Sequence, residues 1–190
     1  MLTYTSPESY ADDAPLYEDI ESWKNLPGFG GTGVKAQDWV VSVGFLVESL
    51  RREIKDNPGQ QIKILIPFPA PLAVLRRTWK SIAELEENYE NLNRFEKFRV
   101  DTCDLAAAFD RICSLANNPP KNLAFVPFGP KPTSAAMCLY ALQREDSSSA
   151  HYPQPTVYHP GYSKGISGND PKTAVNAYWI KHEGEFLYTI

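Results

Sequence analysis

The chain has 190 residues, a hydrophobic content of 43% and a charged content of 22%, a composition that fits a folded globular domain and excludes an intrinsically disordered chain. Its net charge of −4 at pH 7 argues against general binding of duplex DNA, because contacts with the phosphate backbone need clustered Lys and Arg side chains. The sequence contains no recognisable signal peptide and no apolar run of membrane length, so it predicts a cytoplasmic protein with no membrane partner.

An aromatic-rich segment opens the chain. Residues 1–33 are rich in Ser, Asp, Pro and Gly, and they carry the aromatic residues Tyr4, Tyr10, Tyr17, Trp23 and Phe29. This mixture predicts an irregular arm that packs through its aromatic side chains, followed by a single domain over residues 34–190. Residues 28–33 have the spacing of the dinucleotide-binding motif G-x-G-x-x-G, but no apolar strand precedes them, so they predict a glycine-rich hinge instead.

Helix and strand patterns alternate after the arm. Trp39, Val43 and Leu50 belong to a set of apolar residues at helical spacing, which predicts an amphipathic helix that ends at residues 57–59. The run 62–68 predicts a buried strand that leads into a helix near Pro71. The later predicted elements are a strand at 98–100, a helix capped by Asp104, a strand at 122–128, a helix at 133–143, a Ser-rich link at 145–150, a strand near 155–159, a polar loop at 160–173 and a hairpin-like pair at 175–182 and 185–190.

This alternation decides the predicted fold class. Strands separated by helices pair in parallel through right-handed crossovers, which place helices on both faces of the sheet. The sequence therefore predicts an α/β fold, a Rossmann-like three-layer sandwich with a mostly parallel sheet and an antiparallel C-terminal edge.

The segment from Gly129 to Ser134 is the first candidate site. Turn and capping chemistry explains the glycine, the two prolines, Thr133 and Ser134, but it does not explain Lys131. A lysine at the N-terminus of a helix adds positive charge to the positive end of the helix dipole, which is unfavourable unless an anion lies there. We therefore expect Lys131 to contact an anion, most simply a phosphate group; the alternative is a purely structural turn and helix cap.

A second candidate loop follows the next predicted strand. It contains Tyr158, His159, Tyr162, Ser163 and Lys164, and these side chains are suited to stacking on a nucleobase and to binding a phosphate by charge. Neighbouring parallel strands would bring this loop and the first one to the same edge of the sheet. The alternative is a surface turn rich in Tyr and Gly.

The strand, the loop ending in Lys131-Pro132 and the small-residue helix after it resemble the Gly-Thr-Lys-Pro-Met type segment of CARF domains, which are Rossmann-like sensors of cyclic oligonucleotides in bacterial antiviral defence. The helix start at Asp101-Thr-Cys-Asp-Leu105 fits the same layout. The resemblance covers residues 60–165. It differs from the family pattern in the proline before Lys131 and in the arm that stands in place of a first strand and helix. No effector domain is recognisable after it.

The resemblance implies a nucleotide or cyclic-oligonucleotide sensor or accessory domain that forms a homodimer or joins a defence complex. It also implies that Lys131, with Gly129, Thr133 and Ser134, contacts a phosphate group of the ligand. An enzyme that cleaves nucleotide phosphoesters, with Lys131 stabilising charge and Ser163 or His159 assisting, is the second interpretation. A protein-interaction subunit is the third. Three scattered histidines predict no metal site, the sequence predicts no cofactor, and three cysteines without ligand spacing predict reduced thiols.

Overall fold

The computed structural model of the protein describes residues 1–5, 9–10, 20–30, 36, 38–44, 50, 59–87, 95–116, 122–155, 163–164 and 175–190. The strands are β1 (Leu2–Thr5), β2 (Ser9–Tyr10), β3 (Ile20–Asn25), β4 (Asp38–Ser42), β5 (Gln61–Phe68), β6 (Phe95–Asp101), β7 (Leu123–Pro127), β8 (Ser148–Pro155), β9 (Ser163–Lys164), β10 (Val175–Tyr178), β11 (Lys181–His182) and β12 (Glu185–Phe186). The helices with described ends are α1 (Leu72–Glu87), α2 (Leu105–Ala116) and α3 (Lys131–Gln143).

The centre of the fold is a six-stranded sheet with the order β3-β8-β7-β4-β5-β6. The pairs from β8 to β6 are all parallel, and β3 borders the sheet as an antiparallel edge strand. The predicted α/β Rossmann-like fold with a mostly parallel sheet is therefore confirmed. Across the sheet from β6 to β8, the five parallel strands are the third, second, first, fourth and fifth in chain order. This is the strand order of a Rossmann sheet.

Strand β4 lies in the middle of this sheet, where the sequence analysis predicted part of a helix; that prediction was wrong. All five residues from Asp38 to Ser42 are buried, and β4 pairs in parallel with β5 on one side and β7 on the other. A parallel strand that is covered on both faces shows a continuous apolar run instead of an alternating pattern, and such a run also satisfies helical spacing. The first strand of the Rossmann unit, which the arm was predicted to replace, is thus present.

Helices cover both faces of the sheet. Ile82 and Leu85 of α1 pack with Val41 and Ile64 on one face. On the other face, the apolar sides of α2 and α3 pack against alternate residues of β4, β5 and β7, in a cluster that includes Phe125 and Tyr140. Asp104 caps α2 as predicted, because its carboxylate accepts a hydrogen bond of 2.9 Å from the backbone N–H of Ala107.

A buried ion pair joins the amino ends of β4 and β5 to α2. The ammonium of Lys63 lies 2.9 Å from the carboxylate of Asp38, and both side chains are buried. The same ammonium donates a hydrogen bond of 3.0 Å to the carbonyl of Leu115, near the negative end of the α2 dipole. These contacts lie at the edge of the sheet opposite to the carboxyl ends of its strands.

Much of the described part of the predicted irregular arm forms strands. β3 pairs with β8 of the main sheet, and β1 pairs with β10 near the C-terminus. In both cases the backbone hydrogen bonds of the arm are formed with strands that are distant in sequence. The C-terminal residues form the small antiparallel pairs β1-β10 and β11-β12. The predicted Ser-rich link at 145–150 was also wrong in part, because β8 begins at Ser148. The division of the chain at residue 33 stays a prediction.

The C-terminal segment packs over α2 and α3. The Tyr178 hydroxyl donates a short hydrogen bond to the carbonyl of Cys103, and burial, together with nearby acidic groups, raises the pKa of Tyr178 to about 12. The Tyr188 ring packs edge-on against Phe109. In the described ranges no helix is long and apolar enough to cross a membrane.

Candidate anion-binding site at the switch point of the sheet

The carboxyl ends of β4 and β7 are neighbours at the point where the strand order reverses. Ser42, the last residue of β4, is in register with Pro127, the last residue of β7. The chain continues from β4 toward β5 on one side and from β7 toward β8 on the other. Open α/β sheets bind ligands in the crevice at such a switch point, outside the carboxyl ends of the strands.

Two glycines allow the loops after these strands to touch. A Cβ atom on Gly44 would lie 2.7 Å from the backbone oxygen of Phe128, and a Cβ atom on Gly129 would lie 2.0 Å from the Ser42 Oγ atom. Gly44 therefore has no room for a side chain, and a side chain at position 129 would displace the Ser42 hydroxyl. The backbone of Gly44 is also tied to α1, because the Thr78 hydroxyl donates a hydrogen bond of 3.0 Å to its carbonyl.

Two hydroxyl groups at this junction are buried without a partner. Ser42 and Thr133 are each 0% exposed, and within the described ranges the Ser42 Oγ and Thr133 Oγ1 atoms have no hydrogen-bond partner. Ser42 contacts Gly129 from β4, whereas Thr133 lies in the first turn of α3. Leaving a buried hydroxyl unpaired costs about 1–3 kcal/mol, so a hydrogen-bond partner for either group would stabilise the folded chain.

Helix α3 begins beside these hydroxyls, at Lys131 and not at the predicted residue 133. Its N-cap is Pro130, in an extended conformation with φ −55° and ψ 145°, and no side chain caps the helix. The proposed capping role of Thr133 was therefore wrong. Pro132 has no backbone N–H, so the N–H groups of Lys131 and Thr133 are those that the helix leaves without an internal carbonyl partner. They lie at the positive end of the helix dipole.

The remaining predicted residues of this loop differ in what they offer a ligand. Lys131 is exposed, so its ammonium is accessible to an anion in solvent. The Ser134 hydroxyl donates a hydrogen bond of 3.2 Å to the carbonyl of Pro130, and the Ser134 N–H donates one of 3.0 Å to the same oxygen. Ser134 thus closes the first turn of the helix and has already used its hydroxyl proton.

The second predicted loop is described only at its end. β7 pairs in parallel with β8 at residues 148–150, in the segment that was predicted as a Ser-rich link. Most of the strand predicted near 155–159 lies outside the described residues. Tyr158, His159 and Tyr162 lie outside the described residues. Ser163 and Lys164 form β9, whose backbone pairs with Ser9 and Tyr10. A shared site between the two loops stays a prediction.

A serine and a histidine that the sequence analysis did not single out meet on β8. The Ser149 hydroxyl and the His151 Nε2 atom are 2.8 Å apart, and burial lowers the pKa of His151 below its usual value of 6.5. Such a pair can pass a proton in hydrolases. Ser149, however, is in register with Ala124, the second residue of β7, so the pair lies far from the carboxyl ends of the strands.

Thiol and metal chemistry receive little support from the described residues. Cys103, Cys113 and Cys138 are not joined in disulfides, and burial raises the pKa of Cys113 and Cys138, which disfavours the reactive thiolate. No group of three His, Cys, Asp or Glu side chains in the described ranges is arranged to hold a metal ion.

Ser42 and Gly44 are the site residues that sequence reasoning missed. Their signal is present in the run Val40-Val-Ser-Val-Gly44, where a serine and a glycine end an otherwise β-branched stretch. We did not recognise this signal because the region was predicted to be helical. Only residues at the end of a strand are expected at the ligand-binding edge of a sheet.

No protein-family model matches the chain, and no curated protein sequence matches it closely enough to be called a relative.

Proposed function

We propose that this protein binds a nucleotide or cyclic oligonucleotide through a phosphate group at the switch point between β4 and β7. The observation that carries the proposal is the pair of buried, unpaired hydroxyls of Ser42 and Thr133 beside the N-terminus of α3. In keeping with its resemblance to CARF domains, we propose that the protein acts as a sensor or accessory domain in a bacterial antiviral or regulatory system.

The chemistry of the junction favours an anion over a neutral ligand. Every group that lacks a partner there is a hydrogen-bond donor at the positive end of a helix dipole, or a hydroxyl that can donate. Lys131 adds a full positive charge in the same turn. Phosphate oxygens accept such hydrogen bonds strongly, because hydrogen bonds to a charged acceptor are about twice as strong as neutral ones.

Thermal unfolding with a panel of ligands tests this proposal. The panel contains nucleoside mono-, di- and triphosphates and cyclic di-, tri- and tetranucleotides, each at increasing concentration. A ligand at 100 times its Kd stabilises the folded state by about 2.7 kcal/mol, which corresponds to roughly 5–10 °C for a chain of this size. A panel in which no compound raises the unfolding temperature would refute nucleotide binding.

A role as a protein-interaction subunit is the second candidate, and the exposed apolar side chains near the two ends of the chain favour it. Seven large exposed hydrophobic residues lie at positions 1–2 and 175–190; they are Met1, Leu2, Val175, Trp179, Phe186, Leu187 and Ile190. Exposed apolar side chains in such number within short segments are typical of contact sites for other proteins. A second copy of the chain would use them to form the expected homodimer.

Sedimentation velocity of the parent chain and of Trp179→Glu tests the dimer. A parent that sediments as a dimer and a variant that sediments as a monomer would support this surface. A parent that stays monomeric at all concentrations, or a variant that dimerises equally well, would count against it.

A further inference from the structure

We propose that the protein binds a short stretch of single-stranded RNA or DNA in a groove between helix α1 and strand β6. We call it the α1–β6 groove, and it lies on the face of the sheet that α1 covers. Its lining residues are Leu72 and Trp79 of α1, Arg99 of β6 and Phe68 at the end of β5. None of them belongs to the phosphate site proposed above.

One ion pair fixes which side of α1 faces β6. The ammonium of Lys97 in β6 lies 2.5 Å from the carboxylate of Glu86 in α1. Trp79 and Leu72 precede Glu86 at heptad spacing, and seven residues make about two helical turns, so these side chains lie on the same side of the helix. Arg99 is the second residue after Lys97 in the strand, so both side chains lie on the same face of the sheet. Trp79, Leu72 and Arg99 therefore line one groove.

The same ion pair sets the level of each residue along the groove. Helix α1 connects the carboxyl end of β5 to the amino end of β6 and so runs antiparallel to these two parallel strands. Trp79 lies about 10 Å nearer than Glu86 to the carboxyl edge of the sheet, and Arg99 lies about 7 Å nearer than Lys97. Trp79 and Arg99 are therefore at similar levels. The Arg99 guanidinium lies 5.2 Å from the centre of the Phe68 ring, which adds a second aromatic ring to this end of the groove.

The apolar lining of the groove is open to solvent. Phe68 is 47% exposed, Leu72 63% and Trp79 43%, and Arg99 is exposed beside them. Among the described strands, β6 is the last of the sheet, so no described strand covers the far side of the groove. Large apolar side chains that stay half in water at one place are typical of a binding surface.

The charge at this end of the groove is positive. Arg76 lies on the exposed side of α1, one turn before Trp79, and Arg99 supplies a second guanidinium. Asp101, at the end of β6, is an acidic residue at the same end of the groove, but its carboxylate accepts hydrogen bonds of 2.8 and 2.9 Å from two backbone N–H groups of the loop that follows. The groove therefore suits an anionic ligand with flat, apolar groups.

A single-stranded nucleic acid has this combination of groups. Its bases stack on aromatic side chains whatever their identity, and its phosphates bind to arginine. A duplex does not offer its bases in this way, because they already stack on one another, and a chain with a net charge of −4 has no wide basic surface for its backbone. An apolar protein partner would leave the two arginines without a counter-charge.

Fluorescence anisotropy with labelled oligothymidylate and oligoadenylate, each about twelve nucleotides long, and with a duplex of the same length tests the proposal. We expect both single strands to bind, with an affinity that falls as the salt concentration rises, and the duplex to bind several-fold more weakly. Trp79→Ala should weaken the single strands about fivefold or more, which is the loss of one stacked base. Trp79→Phe should retain most of the affinity, because a phenyl ring still stacks.

Arg111→Gln is the matched control for Arg99→Gln. The Arg111 guanidinium lies 5.9 Å from the centre of the Phe98 ring, a contact of the same kind, but Phe98 packs in the cluster on the other face of the sheet. Both substitutions remove one positive charge. Arg99→Gln should weaken the single strands about fivefold or more, because it removes a charge-assisted contact with phosphate, and Arg111→Gln should leave their affinity unchanged.

Three results would overturn the proposal. The first is that neither single strand binds. The second is an equal loss of affinity in Arg99→Gln and Arg111→Gln, or equal binding of the duplex, which would show attraction by charge alone. The third is a parent chain that binds no oligonucleotide and sediments as a dimer, together with a Trp79→Ala variant that sediments as a monomer; this would assign the groove to a second copy of the chain.

Discussion

Replacing Thr133 by Val should make the ligand-free protein more stable, which is the opposite of the usual effect of a substitution in a buried position. Valine has nearly the shape of threonine and a similar helix propensity, so the change removes the hydroxyl without opening a cavity. Thr133 is fully buried and its Oγ1 atom has no hydrogen-bond partner. The folded state alone therefore bears the cost of taking this hydroxyl out of water.

We expect a gain of about 1–2 kcal/mol, the lower part of the range for an unpaired buried polar group, and a rise in unfolding temperature of about 2–4 °C per kcal/mol. Urea unfolding followed by circular dichroism measures both proteins. Thr78→Val is the matched control, because the Thr78 hydroxyl is equally buried but donates a hydrogen bond of 3.0 Å to Gly44. The control should lose about 1 kcal/mol.

A loss of stability in Thr133→Val would refute this reasoning. It would mean that the hydroxyl has a partner in solution, such as an ordered water molecule. The same loss in both threonine variants would remove the distinction between paired and unpaired hydroxyls on which the site depends.

Three further substitutions test other features. Lys131→Ala should weaken binding of adenosine 5′-monophosphate more than tenfold in calorimetry. Its stability in urea should be equal or slightly higher, because a cation at a helix N-terminus is unfavourable in the empty site. Equal affinities of variant and parent would show that Lys131 does not contact the ligand. Lys63→Met should lower stability by about 3 kcal/mol or more in urea, because it leaves the buried Asp38 carboxylate without its lysine; a neutral result would show that the pair is dispensable. The lowered pKa of His151 means that the folded state holds the neutral ring, so the contribution of His151 to stability is full above about pH 6.5 and is lost as the pH falls. His151→Gln should therefore show a smaller decline in unfolding free energy from about pH 7 to about pH 5 than the parent. Equal declines in the two proteins would contradict this.

Sequence patterns predicted strands β5 and β7 but missed strands β3 and β4. The helix capped by Asp104 and the strand before Gly129 were predicted within a few residues of their observed positions. Strand β4 was mistaken for part of a helix because its burial on both faces removes the alternation by which a strand is recognised. Edge strand β3 was missed because it is defined by its partner β8, which is more than a hundred residues away in sequence.

Some residues of the candidate site could be predicted from local sequence, and others depend on contacts between distant parts of the chain. Lys131 and Gly129 were predicted because helix-end chemistry is local and can be read within a few residues. Ser42 was not, because its relation to Gly129 depends on the pairing of β4 with β7. The sequence also did not predict that the Thr133 hydroxyl would be unpaired, because it indicated a capping hydroxyl at that position. The helix begins two residues earlier, so Thr133 lies inside its first turn.

The contrast between the hydroxyls of the core supports a binding role for this junction. Thr78 and Ser148 are buried, and each donates a hydrogen bond to a backbone carbonyl, as folded proteins generally require. Ser42 and Thr133 are buried to the same degree and lack such a bond. Alanine and valine would fill these two positions at lower free energy, so stability alone does not explain the hydroxyls. Their location at the switch point, beside a helix N-terminus and two glycines that allow the loops to touch, is where a phosphate would supply the acceptors that the chain itself does not provide.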